Sequence, residues 1–387
     1  MIVPALAQRL VDDADLPING GSIIAVSDDA VKIGLETSLS VPGGLTVKLD
    51  PFELWLYNKN TTEFQPWSMV PMEQWTVSGK TDISIKDQVV RVGNRSELNI
   101  WLSDMLYNKQ SHISARGNTT AHLGALGFDV KLDKTVTVDG LWSLEGYNLR
   151  DSRLLLPPRD DGVNIVGNMT LPNWSILDIG LGNLTFNAWA GDFLLGNVAV
   201  FDVFLEPGNT TLPFEGQLYL DTVFGNLVDI LGSQATALTS GSLEIGISGN
   251  STMVDGEHIT YLESVLNEAH FYSRVPITQL LTDFLAGVGD GSVKLEGLLD
   301  VLGDGFGPLL DDLLGGGGGG NGNGTDGPRG IPFDDIFGDL LDKLDENRGG
   351  NENSSSDSPL ADLLNGLGMK SEVAKTRVRR FMGTARD

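Results

Sequence analysis

Between Pro17 and about Leu281 the apolar residues recur at every second position in short runs broken by Gly, Asn, Asp and Pro. Examples are Val31-Lys-Ile-Gly-Leu35, Leu45-Thr-Val-Lys-Leu49, Thr135-Val-Thr-Val138, Asn183-Leu-Thr-Phe186, Val198-Ala-Val-Phe201 and Ser242-Leu-Glu-Ile-Gly-Ile247. A period of two buries one face of a strand and wets the other, so this region predicts antiparallel sheets packed as a sandwich. The chain has no cysteine. Each unit must therefore stand on its own apolar core without disulfide staples, and thiol nucleophiles, thiolate metal sites and dithiol redox chemistry are excluded.

The strand-rich region reads as two copies of one unit. Ser38-Leu-Ser-Val-Pro42 parallels Asn168-Met-Thr-Leu-Pro172, and Arg116-Gly-Asn-Thr-Thr120 parallels Ser248-Gly-Asn-Ser-Thr252. Val47, Leu49, Leu54 and Leu56 match Leu177, Ile179, Leu184 and Phe186, and Val77-Ser-Gly79 matches Phe214-Glu-Gly216. Each unit carries one predicted helix before its last strands, at Leu98–Leu106 and at Phe224–Leu231, where apolar spacing turns helical. The expected organisation is a short N-terminal segment (1–14), a first β unit (15–145), a second (146–285) and a tail (286–387). The tail holds six consecutive glycines from Gly315, a polar stretch from Asn347 to Ser358 and three apolar-acidic islands. It is expected to be largely disordered with short amphipathic helices.

The formal charge is −26 and the pI about 4.3. A surface this acidic repels nucleic acid, so no nucleic-acid role is expected. Ten Asn-x-Ser/Thr sequons occur, where chance gives roughly three. Eight fall in the β units: Asn60, Asn94, Asn118, Asn168, Asn173, Asn183, Asn209 and Asn250. Asn323 and Asn353 lie in the tail. The excess points to passage through a secretory lumen. No apolar stretch reaches the length of a membrane span, and the start lacks the apolar run of a signal peptide. Membrane association is therefore expected through an anchor upstream of this chain.

Chemistry leaves a weak trace. His112 and His122 fall in a predicted strand-turn-strand that would bring them close, but no further ligand completes a metal site. Asp160-Asp-Gly-Val-Asn164 lacks the ordered spacing of a calcium loop and reads as a turn. No nucleophile elbow, phosphate loop or dinucleotide fingerprint occurs, so no catalytic residue, cofactor or metal is expected. The seven tryptophans all lie in the β units. They can plug cores, or, at Trp67, Met69, Met72 and Trp75, form an exposed apolar patch for a lipid or protein partner.

The start, Ile2-Val-Pro-Ala-Leu-Ala-Gln-Arg-Leu-Val-Asp12, resembles the segment that follows the membrane helix in fungal proteins with the DUF3712 domain. The duplicated strand-rich unit, the Ser-Val-Pro and Thr-Leu-Pro repeats and the sequons are similar too. The resemblance implies tandem β-sandwiches of LEA type 2 on the luminal side of a single-pass membrane protein, at the vacuolar membrane or alternatively at the cell surface. It implies no catalytic residues. The functional expectation is a non-enzymatic binding or scaffolding protein. The alternatives are a cell-wall or carbohydrate-associated protein that stacks sugars on Trp67, Trp75 and Trp101, and a stalk without any pocket.

Overall fold

The computed structural model describes Gln8, Val11 and residues 17–41, 45–61, 63–238 and 240–276. The tail with its islands and its two sequons, and most of the N-terminal segment, lie outside the described residues. The described chain is mostly β, in two sheets with a few short helices.

The first unit runs β1 (Ile18–Ser27), β2 (Ala30–Ser40), β3 (Thr46–Leu49), β4 (Phe52–Tyr57), β5 (Pro66–Met72), β6 (Trp75–Ser78), β7 (Lys80–Arg91), α1 (Arg95–Tyr107), β8 (Gln110–Leu123) and β9 (Leu126–Asp139). The second runs β10 (Asn148–Leu154), β11 (Ile165–Asn173), β12 (Leu177–Ala190), β13 (Phe193–Leu205), β14 (Gly208–Leu218) and three short helices, α2 (Leu220–Gly225), α3 (Leu227–Ser233) and α4 (Ala235–Leu238). It continues through β15 (Ser242–Val254), β16 (Glu257–His258), α5 (Thr260–Leu266) and β17 (Phe271–Pro276).

The pairing pattern repeats. β1 pairs β2 as β10 pairs β11, and β2 pairs β7 as β11 pairs β14. β3 and β4 act as one kinked strand along β8, as β12 runs along β15. β8 pairs β9 as β15 pairs β17. Helices precede β8 and β15, as the spacing predicts, though the second helical segment is broken into three pieces. One sequence match is displaced. Val77 lies in β6 but Phe214 in β14, the counterpart of β7.

Two features depart from a pair of separate antiparallel sandwiches. First, Gly21–Ile24 of β1 run parallel to Leu177–Gly180 of β12, so an 11-stranded sheet crosses the expected boundary at residue 145. The same edge of β12 then pairs β15 from Asn183 onward. Gly182, with φ +75, sits at this change of partner, and a Cβ there would lie 2.5 Å from the Met253 carbonyl oxygen. Only glycine meets both conditions.

Second, α1 packs against the other unit. Asn94 caps it, its Oδ1 accepting from Glu97 N at 3.2 Å. Its buried side chains Leu98, Trp101, Met105 and Leu106 share one core with Leu262, Val265 and Leu266 of α5. Asp28, in the β1–β2 turn, accepts from Thr260 N at 2.8 Å and from Thr260 Oγ1 at 2.6 Å, standing in as the cap that α5 lacks. Arg95 of α1 binds the same carboxylate at 2.6 Å.

The longest described helix, α1, has 13 residues, roughly 20 Å. No helix among the described residues is long and apolar enough to cross a membrane. That finding overturns the single-pass membrane and vacuolar-membrane expectations.

Burial works against ionisation of Asp28, but the Thr260 and Arg95 hydrogen bonds outweigh it and hold its pKa below 3.8. A depressed carboxylate pKa contributes stability above its unfolded value, lost as pH falls through the folded one. Asp28→Asn is expected to lower the melting temperature at neutral pH. The gap from the parent should narrow progressively as pH falls below about 4, which thermal melts from pH 3 to 7 would show.

Candidate functional site

The β1–β2–β7 portion of the large sheet faces the smaller sheet, and between them lies an apolar cavity of about 240 Å³. Leu35, Leu39, Ile83 and Ile85 line it from the large sheet, and Leu49, Leu54, Val77 and Val130 from the small one. The space follows from the sequence of β8, the central strand of the small sheet. Its inward positions include Ala115, Gly117, Thr119 and Ala121. Gly117 makes room for the Phe52 ring, which a Cβ would meet at 2.8 Å. The alanines leave volume that the facing strands do not fill. Interiors normally pack without voids larger than a water, so a cavity of roughly eight water volumes stands out.

Val11 reaches the cavity, and Gln8 binds the neighbouring strand β9. The Gln8 side-chain amide donates to Lys131 O and accepts from Lys131 N, each at 2.8 Å, on the outer edge of β9. Val11 joins the apolar lining. Lys134 on β9 faces the interior side, a charged position of the kind that discourages edge-to-edge pairing.

Polar chemistry sits on the outer face of the small sheet. Tyr57 OH donates to Asp133 Oδ1 at 2.7 Å, and Arg116 Nε to Asp133 Oδ2 at 3.0 Å. Partial burial raises the Asp133 pKa, but these bonds, with Lys131, bring it below the ordinary carboxylate value. His112 and His122 are both on β8, ten positions apart and so roughly 33 Å. The expected strand-turn-strand does not bring them together. His122 Nε2 pairs with Asp50 at 2.8 Å. Asp161 accepts from Val163 N and pairs with Arg159, so the Asp160–Asn164 segment is a turn braced by an ion pair. Among the described residues no group of three or more His, Cys, Asp or Glu is placed to hold a metal.

The proposed patch divides. Trp67 is 3% exposed and stacks on Trp101 at 5.4 Å, inside the core shared with the second unit. Met72 and Trp75 line the cavity. Met69 faces away from it, opposite Trp55 on β4. Burial removes Trp67 and Trp101 as platforms for sugars. The cavity itself had a legible signal, the small inward residues of β8. It carries weight only once the facing strands are known.

The sequons also divide. Asn60, Asn118, Asn209 and Asn250 are exposed, and Asn94, Asn168 and Asn183 are half-buried. Asn173 is 2% exposed, and its Nδ2 donates to Leu177 O at 2.7 Å and Leu205 O at 2.9 Å. Its Oδ1 accepts from Ser175 N. A glycan at Asn173 would break these bonds.

A family described as a protein of unknown function (DUF3712) matches residues 65–188, from the start of β5 to near the end of β12 and less than half of the chain. No curated protein matches. Among solved structures, one from Arabidopsis thaliana determined in solution is 13% identical. It covers 33% of this chain and 81% of that one, with a TM-score of 0.22. Red sea bream transglutaminase is 11% identical over 68% of this chain and 31% of its own, also at 0.22. A cross-linked adhesin of Mobiluncus mulieris is 10% identical over 65% and 84%, at 0.17. Scores this low transfer neither fold nor function.

Asn173→Ala is expected to cost about 1–3 kcal/mol by orphaning buried carbonyls. That lowers the melting temperature by several degrees. Asn209→Ala, on an exposed strand start, should change stability by less than about 0.5 kcal/mol. Calorimetry on both variants checks the contrast.

Proposed function

We propose that this is a non-enzymatic binding protein that holds an apolar ligand, an alkyl or acyl chain, in the cavity between its two sheets. The cavity is the observation that supports the reading. Sites for apolar ligands are concave and mostly apolar. An apolar cavity of this size that stays dry gains dispersion contacts and sheds no ordered water when a chain enters. The side chains facing it are overwhelmingly aliphatic or aromatic. The cavity also argues against a stalk without any pocket, and buried Trp67 and Trp101 argue against a sugar-stacking groove.

On the finer architecture, we read the chain as two copies of one sandwich of LEA type 2. The repeated strand pairings support this. Of the two copies, the first has kept its sheets apart and open, whereas in the second β13 pairs β14 and joins them.

Binding is tested by displacing a fluorescent medium-chain acyl probe. The unaltered protein should bind the probe, and saturating ligand at about 100 Kd should stabilise it by about 2.7 kcal/mol. Ala115→Leu with Ala121→Leu fills the cavity. It should abolish binding while leaving the melting temperature unchanged or higher. Equal binding by the filled variant, or none by the parent, overturns the proposal.

A further inference from the structure

We propose that the segment carrying Gln8 and Val11 is a strap that gates the cavity, latched by Gln8 and released when a ligand enters or leaves; the inference rests on the cavity being a ligand site. The strap runs from one sheet to the other. Gln8 is fixed on β9, in the small sheet, and the chain enters the large sheet at Ile18, the first residue of β1. Val11 lies between these two attachments in sequence and lines the cavity.

The strap crosses at an edge. Among the described strands β9 pairs only β8, so its other side is a free edge of the small sheet. There the gap between two stacked sheets, roughly 10 Å wide, opens sideways. Val130 and Leu132 of β9 face the cavity, and Lys131 between them offers its backbone N–H and C=O to the Gln8 amide, each bond 2.8 Å long. A side-chain amide carries both a donor and an acceptor, so one glutamine satisfies both groups as a neighbouring strand would. Gln8 and Val11 both have helical backbone. Three residues apart, they fall on one helical face, so the side chain that holds β9 and the one that enters the cavity point the same way.

Most of the lining cannot move alone. Strand residues supply all of it except Val11, Val41 and Leu45. The strands are held by ladders, β8 and β9 being paired from Gln110 with Asp139 to Leu123 with Leu126. Val41 N donates to Gly79 O at 2.8 Å, and Leu45 directly precedes β3. The two Gln8 bonds, by contrast, are solvent-exposed, so water replaces them at little cost. The other end of the strap is tied within the wall, where Thr37 Oγ1 donates to Pro17 O at 2.8 Å. The strap therefore opens from its Gln8 end. Withdrawing Val11 clears a side passage for an alkyl chain without breaking a ladder.

The test is stopped-flow exchange of the fluorescent acyl probe on the full chain and on Gln8→Ala. Loss of the latch should speed association and dissociation alike, each about fivefold, and leave Kd within about twofold. Fivefold is what one net hydrogen bond contributes. Amide exchange at Lys131 reads the latch without any ligand, and its protection should fall in Gln8→Ala. Lost protection with both rates unchanged overturns the gate while the cavity reading stands. A weakened Kd without a matching rise in both rates makes Gln8 a residue that merely supports the wall, and overturns the gate as well. Unaltered protection at Lys131 shows that Gln8 does not hold β9, with the same consequence. Failure of the parent to bind the probe overturns the cavity reading, and the gate with it.

Discussion

Strand β12 is the member on which the rest of the molecule depends. One of its edges is covered by β13 along nearly the whole strand, and the other is shared between β1 in parallel and β15 in antiparallel. This sharing works because Gly182 lets the backbone turn at the change of partner, where a side chain would collide with β15. Through it the two repeats become one sheet. β1 is then held on both sides, by β2 and by β12, and the large sheet presents a fixed wall to the cavity.

The helices tie the same joint from the other side. α1 belongs to the first repeat by sequence, yet its buried face meets α5 of the second. Asp28 completes the tie by capping α5 and pairing with Arg95. These contacts close around a small void of about 50 Å³ near Trp101 and Phe186. The first repeat keeps its larger space where the middle of β8 turns the small residues Ala115, Thr119 and Ala121 inward. A cavity costs stability through lost transfer and dispersion energy. Its retention in a chain with strong cores elsewhere is the physical basis for treating it as a site.

Much of the strand content was legible. Val31–Leu35, Thr135–Val138, Val198–Phe201 and Ser242–Ile247 all lie in strands, because alternation depends only on the local pleat. The Leu98–Leu106 spacing likewise marks α1. The Trp67–Trp75 group was legible as apolar but not as to its use. Its members alternate between two faces, and the strand breaks between Met72 and Trp75. Trp67 met Trp101 in the core, while Met72 and Trp75 met the cavity. The burial of Asn173 was not legible, because the tripeptide pattern carries no information about burial.

The sequence by itself determined a mostly β chain, with helical segments at Leu98–Leu106 and around Phe224–Leu231. Those properties arise from residues close together along the chain. Only the tertiary structure decided that the repeats share one sheet, that α1 serves the opposite repeat, and that Trp75 lines an apolar cavity. Each of these depends on which segments, distant along the chain, approach one another. Local periodicity sets which face of a strand is apolar, but not what will stand opposite it.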